Sequence, residues 1–288
     1  MAGYVYLTDQ IKTAIGNIID RVFQELDMRT PPVNYDWLYQ NEKLTKQTLS
    51  LQDMTALSIK EVGSIQEQIR GLLFVPEKRV FVIDEEGYLK RINFVLGHEF
   101  GHWKLPSHRA LLYKCTQFDL SPAARRQMEQ EANFFSSEFG FMRQLFTAAL
   151  GSSSLSLSHI KDLSNMFEMS VEATFRRAVE LETRPCALLS LTVNYQDEKN
   201  FLSIRYPVHS QSFKESLGEI NRRQKFSRSH PLSQILTDPV SNTVGECECD
   251  LGFGPNKIPL RAELWKNRWN IFALIQPLKQ SQVADVVD

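Results

Sequence analysis

Cysteine is scarce in this sequence of 288 residues: Cys115, Cys186, Cys247 and Cys249 are the whole complement, and no two form a CxxC pair. So few thiols exclude a secreted disulfide scaffold and fit a reducing cytoplasm. Long apolar runs are missing as well. No window approaches the roughly 18 consecutive apolar residues of a membrane-spanning helix, and MAGYVYLTDQIKTAIG has neither the basic nor the apolar stretch of an export signal. A cytoplasmic chain without a membrane span is the expectation. Net charge is nearly absent: 33 Lys and Arg against 34 Asp and Glu leave −1. The chain as a whole is therefore no electrostatic binder of nucleic acid or of an anionic membrane, and any such contact is confined to a local patch. Internal repeats and low-complexity tracts are lacking, and 13 Gly with 12 Pro is ordinary, which excludes collagen-like and disordered classes.

What is present is core-building material, 42% hydrophobic and 23% charged, in a length for which two domains are the default. Residues 8–26 set Ile11, Ile15, Ile18, Val22 and Leu26 three and four apart behind the caps Thr8 and Asp9, which predicts an amphipathic helix. The polar run from Asn41 to Asp53 reads as loop or weak helix. Residues 72–75 and 79–83 are short β-rich runs among the turn residues Pro76 and Glu86-Gly87, so a small meander or hairpin is expected. Residues 79–84 then become either an edge strand on which a peptide adds in extended form or an interior strand with both neighbours paired. A helix over about 91–105 follows and Pro106 ends it. Another starts at Ser121-Pro122, a good cap with proline at the first position, and runs to about 150. Residues 151–184 split into two short helices around 168–170. They have a helix-turn-helix look, but only Arg176 and Arg177 are obvious base readers there, which favours a packing module. From Ala187 the texture is short alternating runs. The expected fold class is α+β, divided as an α-rich domain over 1–150, a helical connector over 151–184 and a β-rich domain over 185–288.

His98-Glu99-Phe100-Gly101-His102 carries the chemistry. Two histidines at i and i+4 share one helix face, close enough for both imidazoles to reach one metal, and the spacing suits Zn²⁺. Glu99, beside the first histidine, is placed to act as general base on a water that the metal acidifies. A catalytic site needs a third protein ligand and an open position, and two candidates exist. His108 stands six residues after His102, the spacing of HExxHxxGxxH zincins, but Leu105 occupies the glycine position of that pattern; the other reading of His108 is a solvent-exposed loop histidine. Glu129 lies 27 residues after His102 on the next helix, and Asn133, four residues on, shares its face and can hold the free ring nitrogen of a ligating histidine. Glu131 points about 200° away from Glu129, so both cannot face one metal. It reads as a cap, a partner of Arg125 or Arg126, or a solvated side chain. Tyr113 and His108 are candidate donors on the oxyanion side. Further along, Arg222, Arg223, Lys225 and Arg228 around Phe226 form the densest basic patch, a weak nucleic-acid contact or a solvated loop. Cys247 and Cys249 share one face of a strand.

The run FVLGHEFGHWKL followed by QEANFFSSEF resembles the ImmA/IrrE family of zincin metallopeptidases, whose pattern is a HELGH-type helix and then a helix carrying ExEANxFAxEL. MRTPPVNYDWL resembles the family's lead-in, IKDLSNMFEMSVEATFRRAVEL its later helical segment, and the tail from FLSIRYPVHSQSFKES the extra β-rich domain of longer members. The resemblance implies a zincin-like domain in which His98, His102 and Glu129 bind zinc and Glu99 is the base. It implies endopeptidase activity against a protein substrate, often a helix-turn-helix repressor in a stress, phage or mobile-element response, and it gives the β-rich domain a sensing or substrate-positioning role. Gly140-Phe141-Met142-Arg143 departs from the family's Leu-Met-Pro ending, and residues 106–121 are a long insert. The alternative is a regulatory protein that binds DNA or a repressor without cutting it, around a structural or vestigial zinc site.

Overall fold

A computed structural model describes residues 7–49, 71–75, 78–83, 89–114, 121–151, 155–234, 244–251, 259–266 and 270–278. The fold is mixed helix and sheet, α+β, and the chain divides into two compact units, residues 1–149 with 163–170, and residues 150–162 with 171–288.

In the first unit, α1 (Asp9–Glu25) starts where Thr8 accepts from the Ile11 amide at 3.3 Å, and it buries Ile15, Ile19 and Val22. Helix α2 (Tyr35–Asn41) is capped in the same way by Asn34. Part of the polar run after it is strand, not loop or weak helix, and 50–53 lie outside the described residues: β1 (Thr45–Leu49) pairs in parallel with β3 (Arg79–Ile83), and β2 (Gly71–Phe74) pairs antiparallel on the other side of β3. The sheet order β1-β3-β2 makes β3 the middle strand, so of the two readings of 79–83 the interior strand is the one found. Position 84 lies outside the described residues. The unbroken polar run Thr45-Lys46-Gln47-Thr48, exposed at all four positions, hid an edge strand.

Helix α3 (Leu89–Lys104) carries both histidines of the motif, and α4 (Pro106–Lys114) follows after the single residue Leu105. Pro106 thus opens a helix as well as closing one, because proline's missing amide costs nothing at a first position. Helix α5 (Pro122–Gly140) begins at Ser121, whose hydroxyl accepts from the Ala124 amide at 3.3 Å. It does not run on to 150: Met142 sits at φ 44°, and α6 (Arg143–Leu150) starts anew. Phe100, Phe135 and Phe139 pack with centroid distances of 5.4–6.1 Å between α3 and α5, and Phe23 of α1 stacks on Phe139 at 4.9 Å. Residues 163–170 are fastened to the amino-terminal half of α3: Lys90 donates to Ser164 and Asn165 at 2.8 Å, and Asn93 donates to Glu168.

The second unit is built on a six-stranded antiparallel sheet of order β6-β5-β4-β9-β8-β7, from β4 (Ala187–Val193), β5 (Leu202–His209), β6 (Lys225–Phe226), β7 (Val244–Cys249), β8 (Leu260–Lys266) and β9 (Ile271–Pro277). Residues 187–191 are buried at every position, so β4 reads as a continuous apolar run with both faces covered. Phe213, on the short α9 (Gln211–Leu217), packs with Leu189, Leu264 and Ile275. Helix α7 (Leu157–Met166) is followed by α8 (Val171–Leu181), whose Phe175 meets Phe272 at 5.9 Å, while Arg176 lies over the ring of Tyr206. Phe226 is 4% exposed and belongs to the core, so the basic patch around it has no exposed ring for a base to stack on; Arg228 pairs with Glu198 at 2.5 Å. No helix among the described residues is long and apolar enough to cross a membrane.

Candidate metal centre

The site begins with two glycines. A Cβ at Gly97 would lie 2.6 Å from Ser136 Oγ and 2.9 Å from the Tyr35 hydroxyl, and one at Gly101 would lie 3.1 Å from Phe135. Four residues apart, they clear one face of α3 so that α5 can approach closely. The Ser136 hydroxyl completes the contact by donating to the Phe94 carbonyl at 2.7 Å. His98 and His102 each follow one of these glycines. Glu129, Asn133 and Ser136 stack on one face of α5 by the i, i+3 and i+4 rule. Close packing of the two helices therefore delivers the polar groups to one place.

There the ligand atoms of His98, His102 and Glu129 all lie within 4.8 Å of one another. His98 Nε2 is 3.2 Å from His102 Nε2 and 3.2 Å from Glu129 Oε2, and His102 Nε2 is 3.5 Å from Glu129 Oε1. Donors about 2.0–2.1 Å from a tetrahedral centre stand about 3.3–3.4 Å apart, so these separations fit three corners of a four-coordinate site with the fourth left open. Two imidazole nitrogens and one carboxylate are a donor set that divalent transition metals accept. Asn133 Oδ1 accepts from His98 Nδ1 at 3.0 Å, the role expected for it.

Burial and neighbouring charge set the ionisation. Glu99 is 5% exposed, and burial pushes its carboxyl up to about 7, with the Glu129 charge adding to the rise and His98 opposing it. Burial drives His102 down to about 4. Burial also presses on His98, but the hydrogen bond to Glu129 and the carboxylates of Glu99 and Glu129 outweigh it and leave that histidine above its ordinary value. Glu129 is held well below the usual carboxylate range because the adjacent imidazoles of His102 and His98 favour its charged form by more than burial opposes it. Gly71 opens β2 directly against Glu99: a Cβ there would lie 2.5 Å from Glu99 Oε1.

His108 is not a solvent-exposed loop histidine. It is 1% exposed on α4, with its Nδ1 at 3.0 Å from His102 Nδ1 and its Nε2 at 2.8 Å from Glu131 Oε2. Both of its nitrogens are thus engaged away from the open position. Glu131 is neither a cap nor a solvated side chain, since it also accepts from Gln127 at 2.9 Å. Both corrections have one cause, the helix begun by Pro106, which carries His108 back under α3. Gly71 was also missed, although a lone glycine at the start of a strand run is itself a sign of close backbone approach. The side chain of Tyr113 lies outside the described residues.

Residues 62–178 match the family model of Peptidase_M78, described as the IrrE N-terminal-like domain. No curated protein matches the chain. Among solved structures, a Mycobacterium tuberculosis transcriptional regulator is similar over 93% of this chain and 76% of that chain, with a TM-score of 0.54 and 12% identity, a likeness of fold alone. The HEFGH helix and the Glu129–Asn133 helix both fall inside the segment that matches the IrrE N-terminal-like model of Peptidase_M78.

Proposed function

We propose that this protein is a zinc-dependent endopeptidase that cuts a regulatory protein, a helix-turn-helix transcriptional repressor being the favoured class. The observation that carries the reading is the convergence of His98, His102 and Glu129 beside the buried carboxyl of Glu99. The match of residues 62–178 to a metallopeptidase family model supports it. A zinc ion held by His98, His102 and Glu129 would supply Lewis acidity, polarising the scissile carbonyl and making a water more acidic. Glu99 accepts the proton of the attacking water and returns it to the leaving amide nitrogen. A carboxyl raised to about 7 is suited to doing both near neutral pH.

Purified protein is expected to hold one equivalent of zinc, lost in His98→Ala. A candidate repressor co-expressed with the wild type should be cut, and should stay intact beside Glu99→Ala. If the Glu99→Ala protein switches its target genes as the wild type does, proteolysis is not the mechanism. The likeness to a transcriptional regulator favours one second reading, a regulatory protein that binds DNA without cutting a partner. Duplex binding that survives about 200 mM salt would raise that reading.

A further inference from the structure

We propose that His108 and Glu131 are positioning residues that together hold His102 in the one tautomer whose Nε2 lone pair is free for a metal. The inference rests on the zinc reading of the site and concerns a part of it that faces away from the open position. A neutral imidazole carries one ring hydrogen, so two ring nitrogens in contact need one donor and one acceptor between them. His102 Nδ1 and His108 Nδ1 stand 3.0 Å apart, and His108 Nε2 stands 2.8 Å from Glu131 Oε2.

Two neutral arrangements exist. In the first, His102 donates from Nδ1 to His108 Nδ1, and His108 donates from Nε2 to the Glu131 carboxylate. Every hydrogen then has an acceptor, and His102 Nε2 is bare where it faces His98 and Glu129. In the second, His108 donates from Nδ1, its bare Nε2 opposes a carboxylate oxygen, and the hydrogen of His102 sits on Nε2 and blocks the lone pair. Two acceptors repel more at 2.8 Å, the His108 Nε2 to Glu131 distance, than at the 3.5 Å between His102 Nε2 and Glu129 Oε1, so the Glu131 carboxylate selects the first. Gln127 holds the other oxygen of Glu131 at 2.9 Å and fixes its aim. His98 reaches an acceptor directly, in Asn133, whereas His102 reaches its carboxylate through a second imidazole.

Two measurements on the full chain test this. In the metal-free wild type, nitrogen-15 ring spectra of labelled histidine should place the hydrogen of His102 on Nδ1; a hydrogen on Nε2 overturns the proposal. Zinc affinity, read by chelator competition, should weaken about 10–100-fold in His108→Leu and fall in the same direction in Glu131→Leu. Glu131→Leu should add nothing in the His108→Leu background, because Glu131 acts only through His108. His108→Asn, whose Oδ1 can accept from His102 in place of the ring nitrogen, should recover most of the loss. Unchanged zinc affinity in both leucine variants overturns the proposal. Should the wild type bind no zinc, the metal reading fails while the ring spectra still decide this inference, and they do so even if a variant fails to fold.

Discussion

Replacing Gly71 with alanine asks whether the close approach of β2 to α3 is required. The new Cβ would lie 2.5 Å from Glu99 Oε1, 2.6 Å from Val95 Cγ1 and 3.0 Å from Glu99 Cγ. Val95 and Glu99 are both buried one turn apart on α3, and a β-branched valine in a helix has one strongly preferred rotamer, so neither neighbour can swing aside cheaply. Restoring ordinary contact requires the strand or Glu99 to move by about 1 Å. Overpacking of this kind costs about 1–3 kcal/mol of stability, and a 1 Å displacement of a reacting group costs about 10²-fold in rate. The clash leaves His98, His102 and Glu129 untouched. On the proposed function, Gly71→Ala should therefore bind zinc as the wild type does, melt lower and cut a susceptible substrate about 100-fold more slowly. Gly16→Ala is the control: nothing lies within 4 Å of a Cβ there, and alanine in mid-helix should be neutral or slightly stabilising. Wild-type turnover and melting in Gly71→Ala would refute the reasoning, and loss of zinc together with activity would move the effect from Glu99 to the metal.

Gly97→Ala should push α3 and α5 apart through Ser136 and Tyr35, lowering stability by about 1–3 kcal/mol in denaturant melts and weakening zinc binding, with partial relief when Ser136→Gly is added. Glu42 accepts from Trp103 at 3.0 Å and from Lys104 at 2.7 Å. Partial burial pushes its carboxyl up, but these bonds outweigh burial and hold it below its ordinary value of 4.5. Its folded form is thus the more acidic, so its stabilisation is present above about pH 4.5 and is lost as pH falls through the folded value. Glu42→Gln should flatten that part of the acid limb in pH-dependent melts, and an unchanged limb would contradict the pairing. In the second unit, buried Glu263 accepts from the Leu157 amide at 3.0 Å at the start of α7. Glu263→Ala leaves that amide unpaired and should cost about 1–3 kcal/mol, read by melting followed through Trp265 fluorescence.

The parts of this molecule that were legible in its sequence are those written in one periodicity. The i, i+4 histidines, the Ser121-Pro122 start, the break at Glu168 and the five long strands of the second unit all follow from local rules, and the structure places each where the pattern does. What was not legible depends on how elements meet. Polar β1 has the composition of a loop, and its strand state comes from parallel pairing with β3. Proline after Leu105 looks like a stop, and only the folded chain reveals it as a start. Helix geometry turns Glu131 away from Glu129, yet it says nothing of α4, which brings His108 to Glu131. The end of α5 at Gly140 was missed because the turn at Met142 is made by a non-glycine residue at positive φ, for which sequence carries no strong signal.

The core of the first unit bears on which kind of zinc site this would be. A structural ion replaces a core that a small domain cannot otherwise build, and its ligands come together only when it binds. Here the two helices that carry the donors are joined independently of them. Phe100, Phe135 and Phe139 are fully buried between α3 and α5, Gly97 and Gly101 admit the close approach, and the Ser136 hydroxyl bonds across the seam. None of these contacts involves a ligand atom. Glu99, next to the first of the histidines, is a buried carboxyl whose charged form His98 favours and Glu129 opposes. Burying such a group is costly, and a structural ion gives no return for it. A proton carrier does, because the same burial that raises the carboxyl to about 7 lets it accept and release a proton at working pH. The placement of Glu99, more than that of the three donors, is what favours turnover over a structural or vestigial ion.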